Sequence, residues 1–594
     1  MVSNMNEINN IAKKCKKCTN ANCKKHCPIH NNIPLITKLI EEKEYVLAKE
    51  VLFQTNPFPY LTSILCDHDK QCFGNCLFKN VDFYNIEQYI GERYFDELIT
   101  YPKQVEEDNV LIIGGGIAGL AIAHHLLKAG IKPTIYEKDN LGGIVLNAIP
   151  DFRFNKKLFK KHIEAISKAS NIVNKRFCKN DLDSLSKYTH IIVAIGCENE
   201  TTSLNGEFVY KGIEVLKAYN EGKLNIQNKK VGVIGLGNTA CDVARALKRL
   251  GNDVSIVYRR DIESSPASKK ELNDLMNEDI KILSKFSPVS FESNILTVKL
   301  NELLEVARTK RKQIVETDKV EKFNFDIIVE ALGSKVDQNF IDMIFSTFDK
   351  KLYEEYLLLK QDKNRRSETL YKDKKSISVI GDAYYGAWNI AEAINSANEV
   401  VNKIYPRFLF GGSFDPITLA HTQIIDYLSS IGRVLVVPNG NKYNLKNLTS
   451  FDKRVNMLEI EFNKLDYKHR ILISDYEKSS AYKGSIETLR YFNHPIMVIG
   501  DDCLLKLDTW INPETLIKEN KFLVITRHQN VDDLIKYIKN NELLSKYENN
   551  FKVVNILDDK TRKISSSAFK LNTNVDFVSK EVLDFIKENK LYEV

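Results

Sequence analysis

No apolar run among the 594 residues approaches the roughly 18 that would span a bilayer. The opening MVSNMNEINNIAKKC has no apolar core of the signal-peptide kind, so a cytoplasmic protein without a membrane partner is expected. Single-sign charge blocks are missing too. The 85 Lys and Arg are interspersed with 78 Asp and Glu, and a net charge of +7 spread in this way leaves no nucleic-acid footprint. Nor does a Gly/Ser-rich linker precede the last third of the chain. VVNKIYPRFLF runs from a helical pattern almost directly into a strand, so closely packed neighbours are expected there. The chain is too long for one core, and about three to five domains are expected.

Cysteine is unevenly placed: of 11, seven lie between Cys15 and Cys76. In a chain without a secretory signal this clustering points to metal, because cytosolic thiols stay reduced. CKKCTNANCKKHCP supplies Cys15, Cys18, Cys23 and Cys27; CDHDKQCFGNC supplies Cys66, Cys72 and Cys76. Soft thiolates this close together suit zinc or an iron–sulfur cluster. Two clusters would need one more ligand than the seven thiols, and a structural zinc site is the competing reading.

The head resembles the N-terminal domain shared by the small subunit of bacterial glutamate synthase and by dihydropyrimidine dehydrogenase, which carries two 4Fe–4S clusters. That resemblance implies Cys15, Cys18, Cys23 and Cys76 on one cluster and Cys27, Cys66 and Cys72 on the other. VDFYNIEQYI places Glu87 where the family has a Glu or Gln, as candidate eighth ligand; an exposed helix carboxylate is the alternative.

VLIIGGGIAGLAIAHHLLKAG joins an apolar strand, the glycines Gly114, Gly116 and Gly119, and a helical pattern. Such glycines permit a tight turn and close approach of a pyrophosphate to the helix N-terminus. Glu137 ends the next strand, where a ribose hydroxyl is expected. The pattern repeats in KKVGVIGLGNTACDVARALKRLG, through Gly235, Gly237, Asn238 and Thr239. Its following strand ends in Arg259 and Arg260, which favour the 2′-phosphate of NADP(H) over NAD. Both units resemble flavoproteins with two dinucleotide-binding domains. By that resemblance Gly143 and Arg153 of LGGIVLNAIPDFRF lie beneath a flavin, and Gly381 and Asp382 near its ribityl and phosphate portion. The implied chemistry passes electrons from NADPH to FAD, then through two clusters to an acceptor, protein or small molecule, that the sequence does not name.

In the stretch LFGGSFDPITLAH a strand meets a loop of Gly411, Gly412, Ser413, Phe414 and Asp415. Thr418 and His421, three apart, share one helix face suited to a triphosphate. The stretch resembles the (His/Thr)-x-Gly-His signature of adenylyltransferases, with Ala420 in place of Gly. RKISSSAFK resembles the family's second half-signature, giving Ser565, Ser566, Ser567 and Lys570, where Lys replaces Arg. Between them the chain resembles nicotinate-nucleotide adenylyltransferase, which implies roles for Arg454, Thr488, Gly500, Asp502 and Trp510 in holding ATP, with Mg²⁺, and nicotinate mononucleotide. His421, Thr418 and Lys570 are the expected catalytic groups. A nucleotide sensor, or a transferase acting on nicotinamide mononucleotide or phosphopantetheine, are the alternatives.

The expected architecture is multidomain α/β. A helical iron–sulfur head (1–107) precedes a Rossmann-like FAD domain (108–227 and 336–404) with an NADP domain inserted (228–335). A Rossmann-like nucleotidyltransferase domain (405–594) follows. Residues 336–372 are charged and poorly patterned, and no role is read for them.

Overall fold

A computed structural model of the chain describes residues 4–18, 20–79, 81–103, 109–199, 204, 206–305, 312–362, 365, 367–372, 375–440, 448–478, 484–572 and 575–592. The expected boundary at 107 lies outside the described residues, as does the 441–447 part of the stretch that follows VVPNG.

The head is helical. Asn4 caps Met5–Lys14 by accepting the Glu7 N–H at 3.0 Å, and Ile8, Ile11 and Ala12 form the buried stripe of that helix. Ile33–Glu41, Tyr45–Phe53, Pro59–Leu65 and Phe83–Arg93 carry the rest. The head has no separate core. Ile36, Leu52 and Ile90 share an apolar cluster with Leu489, Leu507 and Phe522, while Phe58 and Leu61 share another with Ala121 and Leu126. The close packing expected from the missing linker is present: Arg433 donates to Asn402 Oδ1 at 3.0 Å, and a Cβ on Gly130 would lie 2.0 Å from the His469 ring.

The first dinucleotide unit is a six-stranded sheet in the order 367–372, 375–380, 190–193, 110–113, 134–137, 171–174. All neighbours pair in parallel except the first two strands. Val110–Ile113 is buried at every position, which is why it reads as an unbroken apolar run. The strand order reverses beside it, and the glycine turn leaves from this switch point. Residues 336–372 gain a role here. Helices Gln338–Phe345 and Lys350–Leu359 bury Phe340, Ile344, Phe345 and Tyr356 against Leu111, Ile113 and Ile191. Charged residues between those apolar positions hid the pattern.

The second unit is five parallel strands ordered 209–211, 327–330, 230–234, 253–258, 281–284. This corrects the boundary at 228. Val209–Lys211 pairs with Ile327–Glu330, so the unit begins upstream with a strand whose three residues include no buried side chain to mark it. An antiparallel three-stranded sheet, 286–292, 295–304 and 313–324, was also not separated in the sequence. Two short pieces, 198–199 and 334–335, pair where the chain crosses between the units.

The C-terminal unit is six parallel strands ordered 471–473, 433–438, 407–412, 496–500, 522–525, 551–554. Its order reverses between Arg407–Gly412 and Ile496–Gly500. Among the described residues no helix is long and apolar enough to cross a membrane.

Candidate functional site

In the head the seven thiols fall into two neighbourhoods. The charged neighbours of Cys23 include Cys15, Cys76 and Cys18; those of Cys66 include Glu87, Cys27 and Cys72. Cys15, Cys18, Cys23 and Cys76 line a small cavity that Cys72 also reaches. Burial pushes the Cys23 thiol up to about 11 and the Cys27 thiol to about 12. Glu87 is buried, not exposed, and its Oε1 accepts from Asn56 Nδ2 at 2.6 Å, Thr62 Oγ1 at 2.9 Å and Asn31 Nδ2 at 3.2 Å. Burial outweighs these bonds and lifts its carboxyl to about 8. All 11 cysteines are free thiols, and among the described residues no three His, Cys, Asp or Glu converge on a single-ion site. Thiols ringing a cavity fit a polynuclear iron–sulfur centre, whose positive iron would favour the thiolate form.

At the first glycine turn, Gly114 has φ +109°, and a Cβ there would lie 2.4 Å from the Ala194 carbonyl oxygen. Gly119 lets the helix pack on the turn: its Cβ would stand 2.0 Å from Gly114 O. At Gly116, which caps Ile117–Lys128, a Cβ would meet nothing within 4 Å. That open cradle at a helix N-terminus fits a dinucleotide pyrophosphate. Gly143 backs onto Gly116, and Gly381 onto Ala118, so these segments gather at one place. Glu137 accepts the Gly115 N–H at 2.7 Å; Asp382 accepts the Trp388 N–H at 3.3 Å, and burial raises its carboxyl to about 6. Arg153 stands apart from them. Its Nη1 reaches both Asp242 oxygens at 3.0 Å and its Nη2 reaches Glu271 at 3.0 Å, tying the first unit to the second.

The second turn repeats the arrangement, with Gly237 capping Asn238–Arg249 and Asn238 Oδ1 accepting the Ser268 N–H at 3.0 Å. Thr239 is half-buried in that helix's first turn. Because Ile234 pairs with Val257, Arg259 and Arg260 emerge beside this turn, Arg259 exposed.

In the C-terminal unit the loop after Arg407–Gly412 leads to Thr418, which caps Leu419–Ile431. His421 Nδ1 accepts from the Thr418 backbone N–H at 3.1 Å and lies 2.8 Å from its Oγ1. The proton of a neutral ring therefore sits on Nε2. Phe410 and Phe414 flank the ring at 6.1 and 5.2 Å, and burial with the Arg527 charge lowers its pKa to about 4. Ser565 Oγ accepts the Ala568 N–H at 3.0 Å, Ser566 Oγ donates to Pro416 O at 2.8 Å, and Ser567 is exposed. Both half-signatures thus meet. Lys570 and Tyr592 both donate to Asp415, which also accepts the Thr449 N–H at 3.1 Å. Burial alone would raise the Asp415 carboxyl, but Lys570, Tyr592 and Thr449 together hold it below its usual range.

Residues 2–98 match the family model for dihydropyrimidine dehydrogenase domain II, 4Fe-4S cluster. Residues 108–399 match pyridine nucleotide-disulphide oxidoreductase, and 409–572 the cytidylyltransferase-like family. Over 195 residues the chain is 34% identical to a probable nicotinate-nucleotide adenylyltransferase of Acholeplasma laidlawii, covering 31% of this chain and 96% of that one. The C-terminal third belongs to the nicotinate-nucleotide adenylyltransferase family. The region ahead of it is related to the glutamate synthase [NADPH] small chain of Azospirillum brasilense, at 28% identity over 55% of this chain and 75% of that one. It is also 29% identical to the putative oxidoreductase YgfK of Escherichia coli, over 66% of this chain. The chain spans only 38% of that relative's length. A region related to oxidoreductases and a region of the adenylyltransferase family therefore share one polypeptide.

Within the adenylyltransferase unit, Arg454 is placed differently from the nucleotide contact expected of it. It is fully buried, and its Nε, Nη1 and Nη2 donate to Thr449 O, Ser413 O and Asn439 O at 3.0, 2.7 and 2.6 Å. It clamps the loops after two strands. Thr488 is buried too, its hydroxyl 3.4 Å from Glu477, whose carboxyl burial lifts to about 7. Gly500 ends the strand beside Arg407–Gly412, the exposed Asp502 follows it, and Trp510 packs, half-buried, on the core shared with the head. Two residues were missed. Asp501 is buried and accepts the Arg527 and Gln529 N–H groups, both at 2.9 Å. Arg527 in turn donates to the carbonyls of Arg562 and Ile564, just ahead of Ser565, and its charge reaches His421. An arginine directly after the apolar run FLVIT was the available signal.

Proposed function

We propose that the chain is a bifunctional enzyme, an NADPH-linked FAD and iron–sulfur oxidoreductase fused to an adenylyltransferase that makes nicotinate adenine dinucleotide. The observation that carries the second half is the His421–Thr418 pair, which leaves an Nε2–H donor at a helix N-terminus. In the proposed reaction a phosphate oxygen of nicotinate mononucleotide attacks the α-phosphorus of Mg-ATP. The bond to the β-phosphate oxygen breaks and pyrophosphate leaves. No enzyme nucleophile is required; His421, Lys570 and the helix amides orient and stabilise the charged oxygens. The test is pyrophosphate release with nicotinate mononucleotide, nicotinamide mononucleotide or phosphopantetheine in parallel. Turnover with the nicotinate compound supports this reading. No turnover with any would leave a nucleotide sensor, the second reading that Ala420 and Lys570 favour.

When bound, FAD would take hydride from NADPH and the iron–sulfur centres would carry single electrons to an acceptor. The glycine turn at 114–119 would hold the FAD pyrophosphate. A Gly119→Val chain, whose Cβ would sit 2.0 Å from Gly114 O, should purify without flavin yet still release pyrophosphate. Full flavin occupancy in that variant would exclude this turn as the flavin site.

Glu87→Gln keeps an oxygen acceptor for Asn56, Thr62 and Asn31 but removes the carboxylate. In anaerobically prepared protein, one of two cluster EPR signals should shift or vanish. Unchanged spectra and iron content would remove Glu87 from the ligand set.

A further inference from the structure

A cavity partly open to solvent lies where the head, the first dinucleotide unit and the adenylyltransferase unit meet, and its lining includes no residue of the three glycine turns and none of the thiols. Its walls include Arg407 and Arg433 from the starts of two strands, His125, and the Asn395–Asn402 stretch of helix Ile390–Ile404. Arg407 donates to Gln54 Oε1 at 3.3 Å and to the carbonyls of Phe492 and Asn493 at 2.8 and 3.2 Å. Arg433 donates to Asn402 Oδ1 at 3.0 Å and Tyr405 O at 3.3 Å, while its buried Nε has no partner among the described residues. Every acceptor named for the two guanidiniums is neutral. Both side chains are half-buried, and cations withdrawn from water without a counter-ion are costly; desolvation lowers both, Arg407 to about 10 and Arg433, which Arg407 also repels, to about 9.

The carboxylate in the wall is already occupied. Glu399 accepts from Ser367 Oγ at 2.6 Å and Asn395 Nδ2 at 3.0 Å. Two cations therefore face one engaged anion. His125 is buried near both guanidiniums, and its ring is hydrogen-bonded to Asn398, whose Nδ2 is taken up by Thr55 O at 2.7 Å. Burial keeps this imidazole neutral, so the cavity offers cationic donors and no free counter-charge. A phosphate group answers that demand, since its oxygens accept from both guanidiniums.

We propose that this junction cavity binds a phosphate group, bridging the redox and adenylyltransferase units through Arg407 and Arg433. The inference does not depend on either proposed activity. The full chain, carrying His421→Ala, Arg259→Ala and Arg260→Ala to weaken the nucleotide sites, is titrated calorimetrically with inorganic phosphate, pyrophosphate, adenosine monophosphate and sulfate. Phosphate should bind saturably. If pyrophosphate or the mononucleotide binds tighter still, the source is a larger phosphate compound. Adding Arg433→Gln should weaken phosphate about tenfold to a hundredfold, and Arg407→Gln, in a separate chain, should do the same. Both variants must keep the parent's flavin content and unfolding cooperativity. Phosphate affinity unchanged in both, or no saturable phosphate binding in the parent, overturns the site. Sulfate should be weakened by the same two substitutions, and sulfate binding that neither substitution alters overturns the site.

Discussion

Replacing His421 by alanine is expected to lower the rate of pyrophosphate release by about 10²- to 10³-fold, while flavin reduction by NADPH continues at its original rate. The magnitude is that of removing one fixed donor from a charged transition state. His421 is fixed from two directions. Thr418 engages Nδ1 from its backbone N–H and hydroxyl, and Phe410 and Phe414 flank the ring, so Nε2–H needs no reorganisation before it meets a phosphate oxygen. Because burial and Arg527 hold its pKa to about 4, the ring is neutral across ordinary assay conditions. Its neutral fraction falls only as pH drops through that value. The pH profile of kcat should therefore show no inflection near pH 6.5, the ordinary histidine value. An inflection there that disappears in His421→Gln would overturn the neutral-donor role, and an unchanged rate in His421→Ala would overturn the site.

The parts legible in the sequence were those that local physics dictates. Parallel strands buried on both faces read as apolar runs, and a helix that must start against a phosphate needs glycine just before it, so Gly114–Gly119 and Gly235–Gly237 stood out. What stayed hidden depends on partners distant in the chain. Val209–Lys211 is too short and exposed to look like a strand, yet it completes a sheet by pairing with residues 327–330. Arg454 and Arg153 illustrate the same limit in side chains. A cation that clamps carbonyls or bridges to Asp242 and Glu271 has the same sequence signature as one that waits for a phosphate. The junction cavity draws residues from Ile29 to Asn493, and no local pattern announces it.

Changing Arg259 and Arg260 together to alanine should raise the KM for NADPH by about 10²- to 10³-fold and leave the KM for NADH nearly unchanged. The two cofactors differ only in the 2′-phosphate, so the ratio isolates what the arginines do. Strand Asp253–Tyr258 ends level with the turn at Gly235 because Ile234 pairs with Val257, so both arginines emerge beside the cap of helix Asn238–Arg249. In the first unit the matching strand ends in Glu137, whose carboxylate holds the Gly115 N–H and would repel a second phosphate. One fold thus carries opposite charges at equivalent strand ends, and in the proposed assignment these would separate a flavin dinucleotide from a phosphorylated nicotinamide one. Arg259 is exposed and Arg260 half-buried, so Arg259→Ala alone should account for most of the loss without disturbing the sheet. Anaerobic flavin bleaching with each cofactor reads the ratio directly. If NADH bleaches the unaltered protein as fast as NADPH, the arginines are not selecting the phosphate.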